Sequence, residues 1–71
     1  MDLRLAQKHL KEAEQHVLLG RQHVARQLEI IRKLERGGHS TVLAADLLAT
    51  FRLVLANHIA HRDLIRSELA Q

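Results

Sequence analysis

The stretch Arg36-Gly37-Gly38-His39-Ser40 is the one clear break in a sequence that otherwise favours helix throughout. Leu, Ala, Arg, Glu, Gln and His dominate on both sides of it, most of them good helix formers, and proline is absent. Gly37 is expected to adopt the left-handed conformation that ends a helix. Ser40 is expected to cap the next helix by accepting from an unpaired backbone N–H. The break therefore predicts helices at about 2–36 and 41–70, joined by a turn at 37–40.

So short a turn requires the two long helices to run antiparallel. The expected fold class is all-α, an antiparallel two-helix hairpin that forms a single domain over 1–71. A chain of 71 residues buries only about 60% of its unfolded surface, so its core is marginal. Small domains usually compensate with disulfides, a metal or oligomerisation. Because cysteine is absent, we expect association, or a metal held by histidine and carboxylate.

The first helix has a heptad pattern. Large apolar residues recur at every seventh position, at Leu3, Leu10, Val17, Val24 and Ile31. Mostly smaller residues follow three places later, at Ala6, Ala13, Gly20, Gln27 and Leu34. This a/d pattern is typical of a helix that packs along a seam against another helix. A mid-helix glycine costs about 1 kcal/mol relative to alanine, so Gly20 predicts close approach of a neighbouring backbone.

The second helix is apolar on two sides. One face contains Leu43, Ala44, Leu47, Leu48, Phe51, Val54, Leu55, Ile65 and Leu69. A second strip contains Val42, Ala45, Ala49, Leu53, Ala56, Ala60 and Leu64. The first helix can cover only one of these surfaces, and a helix that is apolar on two sides is normally buried on both. The pattern therefore predicts a homodimer that forms a four-helix bundle with coiled-coil packing.

Folding the chain at Gly38 places residues whose numbers sum to about 75 at the same level. This register pairs Val24 with Phe51 and Leu10 with Ile65, and it places Val17 level with His58. Large side chains then meet large side chains along the seam. The residues predicted to form interfaces in the bundle are Leu10, Ala13, Val17, Gly20, Val24, Leu47, Leu48, Phe51, Val54, Leu55, His58 and Ile65.

Six histidines are an unusually high number for this length. Imidazole is a common ligand for divalent transition metals, and the candidate ligands across the helices are His16, His58, His61 and Glu12. The sequence lacks the Glu-x-x-His spacing of di-iron bundles. In addition, the stripe of His9, His16 and His23 has a spacing of about 10 Å along the helix axis. No resident metal or cofactor is therefore expected.

Two other interpretations of the histidines remain open. In the first, they are structural boundary residues, and His58 is a buried polar group that fixes the register, as a buried asparagine does in coiled coils. In the second, burial disfavours the protonated form of His58, so that folding or association weakens as pH falls.

Catalysis is not expected, because the chain lacks Cys, Tyr and a Gly-rich loop, and its two serines are explained by capping at Ser40 and by a solvated face at Ser67. Residues 1–36 carry eight basic and five acidic side chains, but the two signs are interleaved, so nucleic-acid binding is not expected either. The apolar stretch Val42–Ala56 is interrupted by Asp46 and Arg52 and is short for a membrane span. The N-terminus lacks the features of a signal peptide, and a cytoplasmic location is expected.

These exclusions favour a small helical oligomerisation or protein-interaction module. The alternatives are a histidine-based divalent-metal-binding bundle and a weak nucleic-acid-binding protein.

Three segments resemble a group of short hypothetical proteins of rhizobia and related α-proteobacteria: Gly38–Thr41, Leu47–Phe51 and His58–Asp63. In that group, a segment similar to His16–Leu34 precedes a Gly-His-(Asp or Ser)-Thr turn, and the likeness covers about residues 9–69. The resemblance implies a helical hairpin of bacterial cytosolic origin and no site residues, because the group has no assigned activity. Many of its members have Asp at the position of His61, which argues against a metal site that depends on His61.

Overall fold

The computed structural model describes residues 2–71, which form two α-helices and no strand. Helix α1 spans Leu3–Arg36 and helix α2 spans Val42–Leu69. They pack antiparallel into a rod with extents of 54 × 14 × 13 Å. The predicted all-α hairpin is confirmed, and the predicted bounds of both helices agree with the structure to within one residue.

Helix α1 begins at a capped N-terminus. The carboxylate of Asp2 accepts hydrogen bonds from the backbone N–H groups of Arg4 at 3.0 Å and Leu5 at 3.3 Å. These two donors would otherwise lack a partner within the helix. The cap therefore fixes the start of α1 close to the first residue of the predicted range.

The end of α1 corrects one prediction about the turn. Gly38, with φ 72°, adopts the left-handed conformation, whereas Gly37 stays right-handed with φ −83° and ψ 0°. The N–H of Gly38 donates to the Glu35 carbonyl at 3.1 Å, and the N–H of His39 donates to the Leu34 carbonyl at 2.9 Å. This pair of bonds is the Schellman arrangement, in which the left-handed residue follows the C-cap. The prediction for Gly37 was wrong because Gly37 is the right-handed C-cap and the left-handed conformation falls on the residue after it.

The start of α2 differs slightly from the predicted cap. Helical bonding starts at Thr41, whose carbonyl accepts from the Ala45 N–H at 2.8 Å. Thr41 is thus the N-cap, and its side chain makes no capping bond. The Ser40 hydroxyl nevertheless accepts from the Val42 N–H at 3.4 Å. The side-chain oxygen predicted to cap α2 therefore does come from Ser40, which lies one residue before the N-cap residue Thr41.

The heptad seam of α1 is the surface that packs on α2. Its buried members are Ala13, Val17, Gly20 and Gln27, all at predicted a or d positions. A Cβ atom placed on Gly20 would lie 3.1 Å from Leu55 Cδ1 and 3.6 Å from Leu55 Cα. The two residue numbers sum to 75, as the predicted register requires. The close backbone approach expected at Gly20 is therefore present within one chain.

The core of the hairpin is thin. Its buried apolar side chains are Ala13, Val17, Leu48 and Ile65. The chain exposes 5559 Å², whereas a compact monomer of 8.1 kDa is expected to expose about 4,500 Å². The radius of gyration is 16.3 Å, against about 11 Å for a compact domain of this length. A pair of helices leaves most of its surface in solvent.

Candidate functional site

The outward face of α2 carries a continuous apolar surface. We name it the outer strip, and its members, all exposed, are Val42, Ala45, Ala49, Leu53, Ala56, Ala60 and Leu64. The larger side chains are 66% exposed at Val42, 64% at Leu53 and 57% at Leu64. As the sequence predicted, α1 leaves this second apolar side of α2 uncovered.

The residues predicted to form interfaces divide into three groups in the single chain. Ala13, Val17, Gly20, Leu48 and Ile65 are buried between the helices, and Leu10, Val24, Phe51, Leu55 and His58 are half-buried there. The remaining two, Leu47 and Val54, are each 44% exposed beside the contact. The small residues of the α1 seam already face α2 of the same chain. Any further helix that packs on this chain must therefore use another surface, such as the exposed outer strip of α2.

Helix α1 also exposes apolar side chains that the heptad analysis left without a role. Leu18 is 57% exposed and Leu19 is 50% exposed near the middle of the helix. They lie among charged and amide side chains rather than in a continuous apolar stripe. Isolated apolar residues of this kind are common on soluble surfaces, so α1 offers a poorer docking surface than α2.

Helix α2 is long and apolar enough to cross a membrane, judged by length and composition alone. The shortness of the Val42–Ala56 stretch therefore does not exclude a span, because the helix continues to Leu69. The polar side chains that a span would carry include Asp46 and Arg52. Each costs about 2.5–3.5 kcal/mol near the centre of a bilayer.

Two aromatic contacts join the helices on one edge of the hairpin. The ring centroids of His16 and His58 are 5.1 Å apart with an interplanar angle of 42°. The centroids of His23 and Phe51 are 5.5 Å apart with an angle of 35°. The predicted register placed His16 near the level of His58, and the structure confirms it. His58 is half-buried in the single chain, and its full burial in a four-helix assembly stays a prediction.

The four candidate metal ligands do not come together. Within residues 2–71, no group of three or more His, Asp or Glu side chains is placed to hold a metal ion. His16 and His58 are adjacent, but neither Glu12 nor His61 completes a set with them. The proposed four-ligand site is therefore not assembled in one chain.

Charged side chains flank the seam near the histidine pair. The Arg62 side chain is 17% exposed, and its Nη2 lies 3.0 Å from Asp63 Oδ1. On the same half of the rod, Arg66 Nη2 lies 3.5 Å from Glu14 Oε2, with both side chains 50% exposed. The Arg66–Glu14 pair joins the two helices, whereas Arg62 and Asp63 are neighbours on α2. An exposed ion pair contributes about 0–1 kcal/mol.

Gln27 is a buried polar residue to which the sequence analysis gave no role. It is 5% exposed, and its Nε2 donates to the Ala44 carbonyl at 2.9 Å. A buried amide in an a/d seam needs such a partner. The signal in the sequence was its d position in an otherwise apolar or small series.

No family model, curated protein or solved structure matches this chain. The resemblance to rhizobial hypothetical proteins stays a prediction.

Proposed function

We propose that this chain is a non-enzymatic helical association module that acts as a cytoplasmic homodimer. In this proposal the outer strips of two copies pack against each other and create a four-helix assembly. The observation that carries it is the exposure of the outer strip, from Val42 to Leu64, in the single hairpin.

The excess surface of the hairpin supports this proposal quantitatively. The chain exposes 5559 Å², about 1,000 Å² more than a compact monomer of its mass. A stable protein–protein interface removes roughly 600–1,000 Å² from each partner. Covering the outer strip with a second copy would therefore bring the exposed area per chain close to that of an ordinary small protein.

The composition of the outer strip suits a helical partner. Its alanines occur as two i,i+4 pairs, Ala45 with Ala49 and Ala56 with Ala60, with the large side chain of Leu53 between them. Small residues along one row let a second helix approach closely, and a large residue between them can insert into the facing groove. The seven strip positions are apolar; the nearest carboxylates, Asp46 and Asp63, lie beside the strip near its two ends and can stay hydrated at the rim of such an interface.

A second copy is a better occupant of this surface than a lipid bilayer. A membrane span would place Asp46 and Arg52 in hydrocarbon. It would also separate His58 and Arg62 from α1, against which they are partly covered. Packing of two hairpins leaves these contacts in place, and it allows Asp46 and Arg52 to stay in water at the rim of the interface.

The test is the mass in solution of the whole chain and two matched variants. Leu53→Glu places a charge in the outer strip, and Leu19→Glu places the same charge on α1. The two leucines are similarly exposed, Leu53 at 64% and Leu19 at 50%. We expect light scattering at micromolar concentrations to give the mass of two chains for the parent and for Leu19→Glu. Leu53→Glu should shift toward one chain while circular dichroism still reports helix.

Two outcomes would overturn the proposal. A parent mass of one chain at tens of micromolar would remove the dimer. Flotation of the parent with phospholipid vesicles, lost in Leu53→Glu but kept in Leu19→Glu, would assign the outer strip to a lipid surface instead.

A further inference from the structure

The contact between His16 and His58 has the dimensions of a two-ligand metal site. The two rings come from different helices, and their centroids are 5.1 Å apart. Two imidazoles that bind one tetrahedral ion through nitrogen atoms at about 2.0–2.1 Å have ring centres about 5 Å apart. The separation of the two rings therefore suits a shared ion once one nitrogen of each imidazole is turned toward it.

We propose that His16 and His58 of one chain bind a single divalent transition-metal ion of the zinc class, with water in the remaining coordination positions. This site differs from the four-ligand set considered from the sequence, because it requires neither Glu12 nor His61. It also does not depend on the proposed dimer, since both ligands belong to the same hairpin.

The hairpin holds these two ligands in place and leaves them accessible. His16 adjoins the buried residue Val17, and His58 is itself half-buried in the seam. The backbone of each ligand is thus fixed by helix packing. The His16 side chain is exposed, so an ion and its waters can reach the pair from solvent. A prearranged pair loses less conformational freedom on binding than two mobile side chains would.

The surrounding charges permit a cation at this position. The positive side chain nearest in sequence to His58 on the same face is Arg62, one turn further along α2, and its guanidinium is paired with the Asp63 carboxylate at 3.0 Å. On α1, Glu12 lies one turn before His16 and is an exposed carboxylate that lowers the electrostatic cost of a bound cation. Glu14 is paired with Arg66 at 3.5 Å and does not contribute in this way.

The ligand chemistry selects the class of metal. Imidazole nitrogen suits zinc, copper and nickel, whereas calcium and magnesium require several oxygen ligands. In the part of the chain that the structure describes, no carboxylate joins the two histidines in a group of three or more. We therefore expect Zn²⁺ to bind and Ca²⁺ and Mg²⁺ not to compete at equal concentration.

The experiment is calorimetric titration of the whole chain with Zn²⁺, using four single variants. His16→Gln and His58→Gln each remove one ligand. His9→Gln and His39→Gln are the matched controls, because each removes an exposed imidazole outside the pair. We expect one ion per chain in the parent and in both controls, and at least a tenfold loss of affinity in each ligand variant.

Several results would overturn the site. These are no zinc binding by the parent, an unchanged affinity in His16→Gln or His58→Gln, an equal loss in all four variants, or one ion per two chains. Circular dichroism of each variant shows whether it is folded. As a second readout on the parent, the imidazole NMR signals of His16 and His58 should shift on zinc addition while that of His39 does not.

A negative result for the zinc site can be distinguished from a negative result for the proposed dimer. The stoichiometry is measured per chain, and the ligand pair lies in and beside the seam between α1 and α2. The outer strip around Leu53 lies outside that seam. Leu53→Glu should therefore leave the zinc affinity unchanged, whatever its effect on mass.

Discussion

The Gln27 side chain of α1 donates a hydrogen bond to the Ala44 carbonyl of α2 at 2.9 Å. The amide is 5% exposed, and its partner lies in the first turn of α2, close to the loop. This side-chain bond ties the two helices together next to the reversal. The relative position of the two helices is therefore set by a polar contact as well as by the apolar seam.

Removing this bond should destabilise the hairpin measurably. A neutral hydrogen bond contributes about 0.5–1.5 kcal/mol net. We expect Gln27→Met, which retains the length but not the donor, to lower the free energy of unfolding by that amount. Gln27→Ala should lower it further, because it also removes packed atoms. Urea denaturation at one fixed chain concentration, followed by circular dichroism, measures both. A Gln27→Met variant as stable as the parent would show that packing alone sets the contact.

The Gly20–Leu55 contact limits the size of the side chain that position 20 of α1 can carry. An added methyl at Gly20 would lie 3.1 Å from Leu55 Cδ1, a conflict that a small side-chain movement can relieve. The gain in helix propensity is about 1 kcal/mol, so Gly20→Ala should change the free energy of unfolding by less than about 1 kcal/mol. Gly20→Ile should destabilise by about 1–3 kcal/mol through overpacking. Equal stability of the two variants in urea denaturation would contradict this limit.

The two adjacent glycines of the turn should respond differently to alanine. Gly38 has φ 72°, and an L-residue there costs about 1–2 kcal/mol. Gly37 is right-handed, and its new methyl would meet mainly the His39 ring, 2.7 Å away at Cδ2, on an exposed side chain that can rotate. We expect Gly38→Ala to lower the melting temperature clearly more than Gly37→Ala. The opposite order would assign the left-handed residue to Gly37.

The seam and the register were predictable because a heptad pattern and a short turn leave little geometric freedom. The prediction that Leu55 lies opposite Gly20 followed from folding the chain at Gly38. The choice between Gly37 and Gly38 did not follow, since both residues tolerate the left-handed conformation. It depends on which N–H groups reach the last carbonyls of α1, and the sequence pattern does not encode that detail.

The histidine pair was predictable in position but not in environment. The register placed His16 beside His58, because both follow from the same seam. In the single chain His58 is half-buried, because the full burial predicted for it requires the further helices of a four-helix assembly. Gln27 was overlooked as a contact, because a polar residue at a d position interrupts an apolar pattern, and its bonding partner is a backbone carbonyl that no side-chain pattern reveals.

Stabilisation by zinc should depend on pH if His16 and His58 bind the ion. Zinc binds an unprotonated imidazole nitrogen, so protons compete with zinc and binding weakens at lower pH. Zinc at ten times its dissociation constant adds about 1.4 kcal/mol of stability, which raises the melting temperature of so small a domain by roughly 5–10 °C. We expect that rise at pH 7.5 and a smaller one at pH 5.5. A tenfold loss of affinity in His58→Gln should leave at most about a third of the rise, and His39→Gln should behave as the parent does. A zinc-induced rise of the same size at both pH values would mean that the ion binds through groups other than these imidazoles.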